Sequence, residues 1–262
     1  GVTSELRKLK RLKTTLSTES ANLLPIQGEW KGTTSPGMLL TGRRGQVMTW
    51  SPFDNASGNY NVAVVGRSGS GKSVFMQDLM SSILGQGGRV YALDVGRSFE
   101  KLVKLLGGTF IEFTTKTPIS LNPFSSIPED DAGARDALSM LKPIISLMAA
   151  PKEGTTDLEN AALEKALLQA WQGKGKQASM TDVANALLQN TDALNQTLAQ
   201  KLFPYTKDGI YGRFFEGPMT VDLSAPFVVM EMEELKERKD LQAVIVQIMI
   251  LEITNTLYLG NR

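Results

Sequence analysis

The spacing of apolar and polar positions changes character several times along this chain. Over residues 1–24, Leu6, Leu9, Leu12 and Leu16 recur at three- and four-residue intervals, with Arg7, Lys8, Lys10, Arg11 and Lys13 around them. That spacing predicts one helix with a narrow apolar stripe and a solvated basic face. Residues 25–58 are rich in Gly, Pro, Ser and Thr and contain two strand-like runs, Met38–Leu40 and Gln46–Trp50, parted by the turn Gly42-Arg43-Arg44-Gly45. From residue 61 short apolar runs alternate with longer ones. The pattern predicts a buried strand at Asn61–Val65, a helix at Ser73–Leu84, a strand at Arg89–Leu93, a helix at Phe99–Leu106 and a strand at Thr109–Phe113. Strand and helix in alternation predict an α/β fold whose parallel sheet has right-handed crossovers.

Residues 129–203 lose the strand signal and divide into four helical segments. Thr156 with Glu159 predicts a capping box on the second. Thr181 and Thr191 are the expected N-caps of the third and fourth, and Gly173-Lys174-Gly175-Lys176 reads as an exposed, mobile loop. This block is read as an all-helical insertion on the α/β domain. Strands are expected again at Thr220-Val221 and Phe227–Met232. A final helix from about Leu241 to Leu257 is apolar almost all round, which requires burial on more than one side. The resulting organisation is an N-terminal helix over 1–24, a first part of the core over 25–128, a helical insertion over 129–208 and a continuation of the core over 209–262.

Composition narrows the chemistry. With 262 residues, 42% of them hydrophobic, the chain is long enough to bury a large core. Its net charge of +1 supplies no global attraction to nucleic acid or anionic membrane. The absence of Cys and His excludes disulfides, thiol nucleophiles, imidazole acid–base chemistry and most zinc sites. The first residue is Gly, so the chain is expected to be an excised segment. No signal peptide is visible, and the longest apolar stretch, Ala243–Leu251, is far short of the roughly 20 residues of a spanning helix, so the chain is expected to be soluble as it stands.

Gly66-Arg67-Ser68-Gly69-Ser70-Gly71-Lys72-Ser73 matches the phosphate-binding pattern G-x-x-x-x-G-K-[ST]. An apolar run enters it and a helix, beginning with Ser73 and Val74, leaves it, which is the context the chemistry requires. Glycines let successive amides turn toward one anion, and the helix N-terminus adds partial positive charge. ATP and Mg²⁺ are therefore the expected ligands, with Lys72 on the β- and γ-phosphates and Ser73 on the metal. Asp94 ends the second strand of the alternating region, at the carboxyl edge where ligands bind. It is a candidate to hold a water near the nucleotide and equally a candidate turn or cap residue before Gly96-Arg97-Ser98. The run Phe227-Val228-Val229-Met230-Glu231-Met232-Glu233-Glu234 has the apolar character of a second acidic motif but no Asp, and reads as a structural strand entering a charged turn.

Several stretches together resemble the TraC family, the conjugative ATPases of type IV secretion systems. They are Asn59–Val65 running into the glycine-rich loop, Phe75-Met76-Gln77-Asp78, Leu93–Phe99, Leu121-Asn122-Pro123-Phe124, Tyr211-Gly212-Arg213-Phe214-Phe215, and Glu233-Glu234-Leu235-Lys236 followed by Leu241-Gln242. The resemblance implies a RecA-like P-loop NTPase core with a helical insertion. It implies an ATPase at the cytoplasmic side of the bacterial inner membrane that powers pilus assembly and DNA or protein transfer. Its implied partners are the secretion system's inner-membrane complex, a coupling ATPase and further copies of itself in a ring, a hexamer. It also implies that the catalytic carboxylate lies beyond Arg262, so that turnover by this chain alone is expected near background. A ring gives Arg213 the expectation of an arginine finger; the alternative is a packing Arg stacked on Phe214, and Arg43, Arg44, Arg67 and Arg97 compete for the role. Two other functions remain open at this point: a DNA-translocating coupling or segregation ATPase, for which Lys174, Lys176 and the basic N-terminal helix are the only hints, and a non-hydrolytic nucleotide-binding scaffold.

Overall fold

The computed structural model describes residues 2–10, 14, 16–22, 30–114 and 117–259. Its contacts divide the chain into two compact units, Gly1–Lys72 and Ser73–Arg262.

In the first unit, α1 (Val2–Lys8) and α2 (Ser17–Asn22) replace the single helix expected over 1–24. Leu9 and Leu16 are exposed, while Leu12 and Leu24 lie outside the described residues. β1 (Met38–Thr41) and β2 (Val47–Trp50) pair antiparallel around the expected turn, with Met38 opposite Trp50. Thr33 ties this ribbon to the preceding chain: its amide reaches the Thr49 carbonyl at 2.8 Å and its hydroxyl accepts from the Ser51 amide at 2.9 Å. The strand expected at Asn61–Val65 is not formed. These residues have no ladder partner among the described residues, and Val65 is 93% exposed. An apolar run becomes a strand only where a neighbour supplies its hydrogen bonds.

The second unit is built on a three-stranded parallel sheet. β3 (Val90–Asp94) and β4 (Thr109–Glu112) flank β5 (Phe227–Glu231). All five β5 residues are buried, and the strand's two-residue period separates two cores. Phe227 and Val229 join Met80, Val90, Ala92 and Val103 on the face covered by α3 (Lys72–Gly85) and α4 (Glu100–Leu105). Val228 and Met230 join the larger core on the other face. Gly108, just before β4, is confined to glycine by packing: a Cβ there would lie 2.5 Å from the Phe227 carbonyl oxygen.

The larger core is supplied mainly by α5 (Asp131–Ala149), α6 (Asp157–Lys174), α7 (Met180–Leu188), α8 (Ala193–Leu202) and α9 (Lys239–Leu259). The Thr156–Glu159 capping box is present as expected. The next two caps differ from expectation: α7 is capped by Ser179 with Asp182, and α8 by Asp192. At α8 the Asp192 carboxylate accepts the Asn195 amide at 2.9 Å, and at α7 the Asp182 carboxylate reaches back to accept the Ser179 amide at 3.0 Å. The Thr181 hydroxyl instead donates to Glu216 at 2.5 Å. Residues 173–176 are not a loose loop: α6 runs to Lys174, a turn of 3₁₀ helix follows, and Lys174 and Lys176 pair with Asp182 and Glu129. Thr220-Val221 forms no strand. By length and apolar composition α9 passes as a membrane-spanning helix, yet Leu241, Val244, Ile245, Ile248 and Met249 are fully buried in the protein core.

Candidate nucleotide-binding site

The loop from Gly66 to Gly71 turns the chain from an extended segment into α3. Gly69 and Gly71 have φ of 75° and 92°, a region where a side chain is strained, and a Cβ at either would meet nothing within 4 Å. The loop is closed locally by the Ser70 amide on the Arg67 carbonyl at 3.2 Å. Lys72 curls back over it, its Nζ donating to the carbonyls of Gly66 and Arg67 at 2.8 Å each. Both bonds go to neutral carbonyls, so a polyphosphate oxygen is a stronger competitor for the ammonium. Ser73 heads the second unit in the first turn of α3, and Val74 beside it is exposed. Open space beside two left-handed glycines, one ammonium, a hydroxyl and a helix N-terminus, with no carboxylate anywhere in 66–74, form a donor set that fits phosphate and a phosphate-bound hard cation. Among the described residues no cluster of three or more acids is arranged to hold a metal by itself, and a metal carried by phosphates requires none.

In the second unit the carboxyl edge of the sheet aligns Asp94, Glu231 and Glu112 in register. Asp94 is 5% exposed and its Oδ2 accepts from the Phe99 amide at 3.0 Å, fixing the start of α4. Glu231 is 1% exposed and accepts three amides: Gly96 at 3.2 Å, Arg97 at 2.7 Å and Glu233 at 2.8 Å. Its carboxylate thus substitutes for a bound anion in the turn after β3. Arg97 sits at φ 56°, outside the usual range for a side-chain-bearing residue, and its guanidinium pairs with Glu112 and Glu100. The Glu112 carboxylate, foremost, holds the Arg97 pKa above its ordinary value. The turn is joined to the glycine-loop helix by Gln77, one turn into α3, whose Nε2 donates to the Ser98 carbonyl at 2.8 Å. Neither Gln77 nor Glu231 was singled out as a site residue by sequence reasoning. Glu231 lies more than 130 residues from the Gly96 and Arg97 amides, and no local pattern reports such a contact.

Arg213 follows the helical block. Its guanidinium stacks on Phe214, 4.3 Å from the ring centroid, and donates to the Thr114 carbonyl at 3.1 Å. Burial, with Arg238 nearby, lowers its pKa. Tyr211, two residues earlier, donates its hydroxyl to Asp240 at the start of α9, 3.2 Å from Oδ2.

A glycine-rich loop leading into a helix beside a parallel sheet defines a P-loop NTPase. The TraG P-loop domain family matches residues 48–257, and the chain belongs to that family. TraC of Escherichia coli K12 is 28% identical over 273 aligned positions, which cover 98% of this chain and 30% of TraC. The chain therefore spans under a third of the length of that relative. VirB4 of Thermoanaerobacter pseudethanolicus superposes with a TM-score of 0.72 over 88% of this chain and 67% of that one, at 20% identity, a likeness of fold. The α/β, RecA-like P-loop architecture expected from the sequence is thus the architecture found.

Proposed function

We propose that this chain is the ATP-binding and ATP-hydrolysing motor domain of a type IV secretion (conjugation) system, acting on the cytoplasmic side of the inner membrane. The observation that carries this reading is the glycine-lined loop, open at Gly69 and Gly71, with Lys72 folded across it on two replaceable bonds. Residues Gly66 to Val74 cradle the nucleotide, Lys72 neutralises the β- and γ-phosphates, and Ser73 places its hydroxyl on Mg²⁺. Bound Mg²⁺ supplies charge neutralisation on the transferring phosphoryl group. Asp94 holds a water beside the nucleotide from the carboxyl end of β3. Its partners are the inner-membrane complex, a coupling ATPase and further copies in a hexameric ring, with residues 129–208 as a helical insertion on the core.

For Arg213 the stack on Phe214 and the bond to Thr114 support the packing role, since a finger must leave both. The ion pairs of Lys174 and Lys176 with Asp182 and Glu129 weigh against a basic DNA-contacting loop. The test of the site is Lys72→Ala. Titrated with a fluorescent ATP analogue and Mg²⁺, that variant is expected to bind at least about 100-fold more weakly, as befits loss of a charge-assisted contact in a phosphate cradle. Binding at the parent affinity would remove the loop as the nucleotide site.

A further inference from the structure

An Asp that ends a strand ordinarily closes its own turn, accepting the amide two residues on. Asp94 does not. The Gly96 amide, two residues ahead, goes to Glu231 at 3.2 Å, and the next amide, Arg97, goes to the same carboxylate at 2.7 Å. Asp94 accepts only from Phe99, through Oδ2, and its Oδ1 has no protein hydrogen bond among the described residues. The two acids are register partners on adjacent strands, and the Met232 amide donates to the Asp94 carbonyl at 2.9 Å, so their separation is fixed by the sheet.

We propose that Glu231 is a positioning residue: by occupying the Gly96 and Arg97 amides it keeps Asp94 Oδ1 available to hold a water in the shell of the nucleotide's Mg²⁺. The inference rests on the role given to Asp94 above and extends it. Glu231 is suited to the task because it is an anion already satisfied by three donors, the third being Glu233. Those three donors fix its two oxygens in place. The amides it occupies are presented by a turn with φ of 115° at Gly96 and 56° at Arg97; the second is uncommon for a residue with a side chain, and the carboxylate's bonds help to hold it. The turn so held is anchored to the first part of α3 through Gln77 and Ser98, so Asp94 keeps its register with the helix that Ser73 heads. Removing an acceptor from Glu231 releases one amide, and Asp94, two residues before Gly96, then becomes the ordinary turn acceptor for it.

The test is a double-mutant cycle read by equilibrium binding of a non-hydrolysable ATP analogue, with and without Mg²⁺. The quantity followed is the gain in affinity that Mg²⁺ confers. Asp94→Asn is expected to reduce that gain about tenfold, Glu231→Gln to reduce it by a similar factor, and the double variant to be no worse than either alone, because the second residue acts through the first. An intact gain in Asp94→Asn sinks the role of Asp94 and this inference with it. A loss in Asp94→Asn with an intact gain in Glu231→Gln, or losses that multiply in the double variant, overturns the positioning role alone. A second readout is the backbone amide resonance of Gly96. In the parent it is expected to ignore Asp94→Asn; in the Glu231→Gln background it is expected to shift with Asp94→Asn, because the amide has changed acceptor. Insensitivity in both backgrounds overturns the proposal. Should Glu231→Gln fail to fold, Glu231→Asp, which keeps the charge but retracts it by one methylene, replaces it in both measurements with the same deciding outcomes.

Discussion

Two glycine-bearing turns leave strand-like segments in this protein, and they treat anions in opposite ways. In the first, Gly66–Ser73, left-handed glycines border open space, and the resident cation rests on backbone carbonyls. In the second, Gly96–Ser98, the amides already hold a carboxylate supplied by Glu231 from a distant strand. In the function proposed above, the first turn is a cradle kept for a ligand, and the second is the same backbone device completed by the protein itself. A loop whose donors wait for a ligand contributes to binding and little to stability; a loop whose donors are filled internally contributes to stability and ties its surroundings together.

The largest expected effect tests the first half of that contrast. Gly71→Val places a branched side chain at φ 92° and in the open cradle. Affinity for a fluorescent ATP analogue is expected to fall by about 100-fold or more through occlusion of the phosphate position. Binding within a few-fold of the parent would mean that the cradle is not where phosphate sits.

The second half predicts the reverse for Glu231→Ala. Three amides lose a buried acceptor, so unfolding free energy in urea is expected to drop by about 2 kcal/mol, within the usual cost of breaking a hydrogen-bond network. A loss below about 0.5 kcal/mol, the range of surface substitutions, would show that water replaces the carboxylate at no cost.

The contrast also explains what the sequence made legible. The glycine loop is a local pattern with local causes, so its residues could be named from spacing alone. β3, β4, β5 and the helices from α3 onward were equally readable, because each carries its own periodicity. Asn61–Val65 was misread because its apolar run says nothing about whether a neighbouring strand is there to pair with it. The caps of α7 and α8 were misread because each has several side-chain oxygens within a few residues, and tertiary placement chooses among them. Glu231 was read as structural, which it is, but its partners at Gly96 and Arg97 were out of reach of any window along the chain.

Glu252 provides a second buried carboxyl against which to judge Glu231. It lies in α9, 7% exposed, and its Oε1 has no partner among the described residues. Burial pushes its pKa above the ordinary 4.5, against a smaller opposing effect of a hydrogen bond with Ser126. Because the folded carboxyl holds its proton to higher pH than the unfolded one, unfolding releases that proton, and stability falls as pH rises above about 4.5. Glu252→Gln removes this titration. It is expected to raise stability at pH 8 by about 1 kcal/mol while leaving it unchanged near pH 4. Equal stability of variant and parent at both pH values would show that the site is hydrated.

The smallest effect concerns a carboxylate that resembles Glu231 in partners but lies nearer the surface. Glu159 accepts from the Thr156 amide at 2.9 Å and from Lys201 at 2.9 Å, closing the capping box of α6. The Thr156 amide, then Lys201, hold its pKa down to about 2, against an ordinary 4.5. The unfolded chain takes up the proton first as pH falls, so the contribution is complete above about 4.5 and is lost as pH drops toward about 2. Thr156→Ala removes the reciprocal hydroxyl and is expected to cost about 1 kcal/mol at pH 7. Glu159→Gln should flatten the acid limb of the stability profile between those two values while leaving nucleotide affinity untouched, since α6 lies outside the turn that Gln77 and Glu231 hold. If Glu159→Gln instead weakened nucleotide binding, the helical block would be coupled to the glycine loop, and donors that serve ligand would not be separate from donors that serve the fold in this part of the molecule.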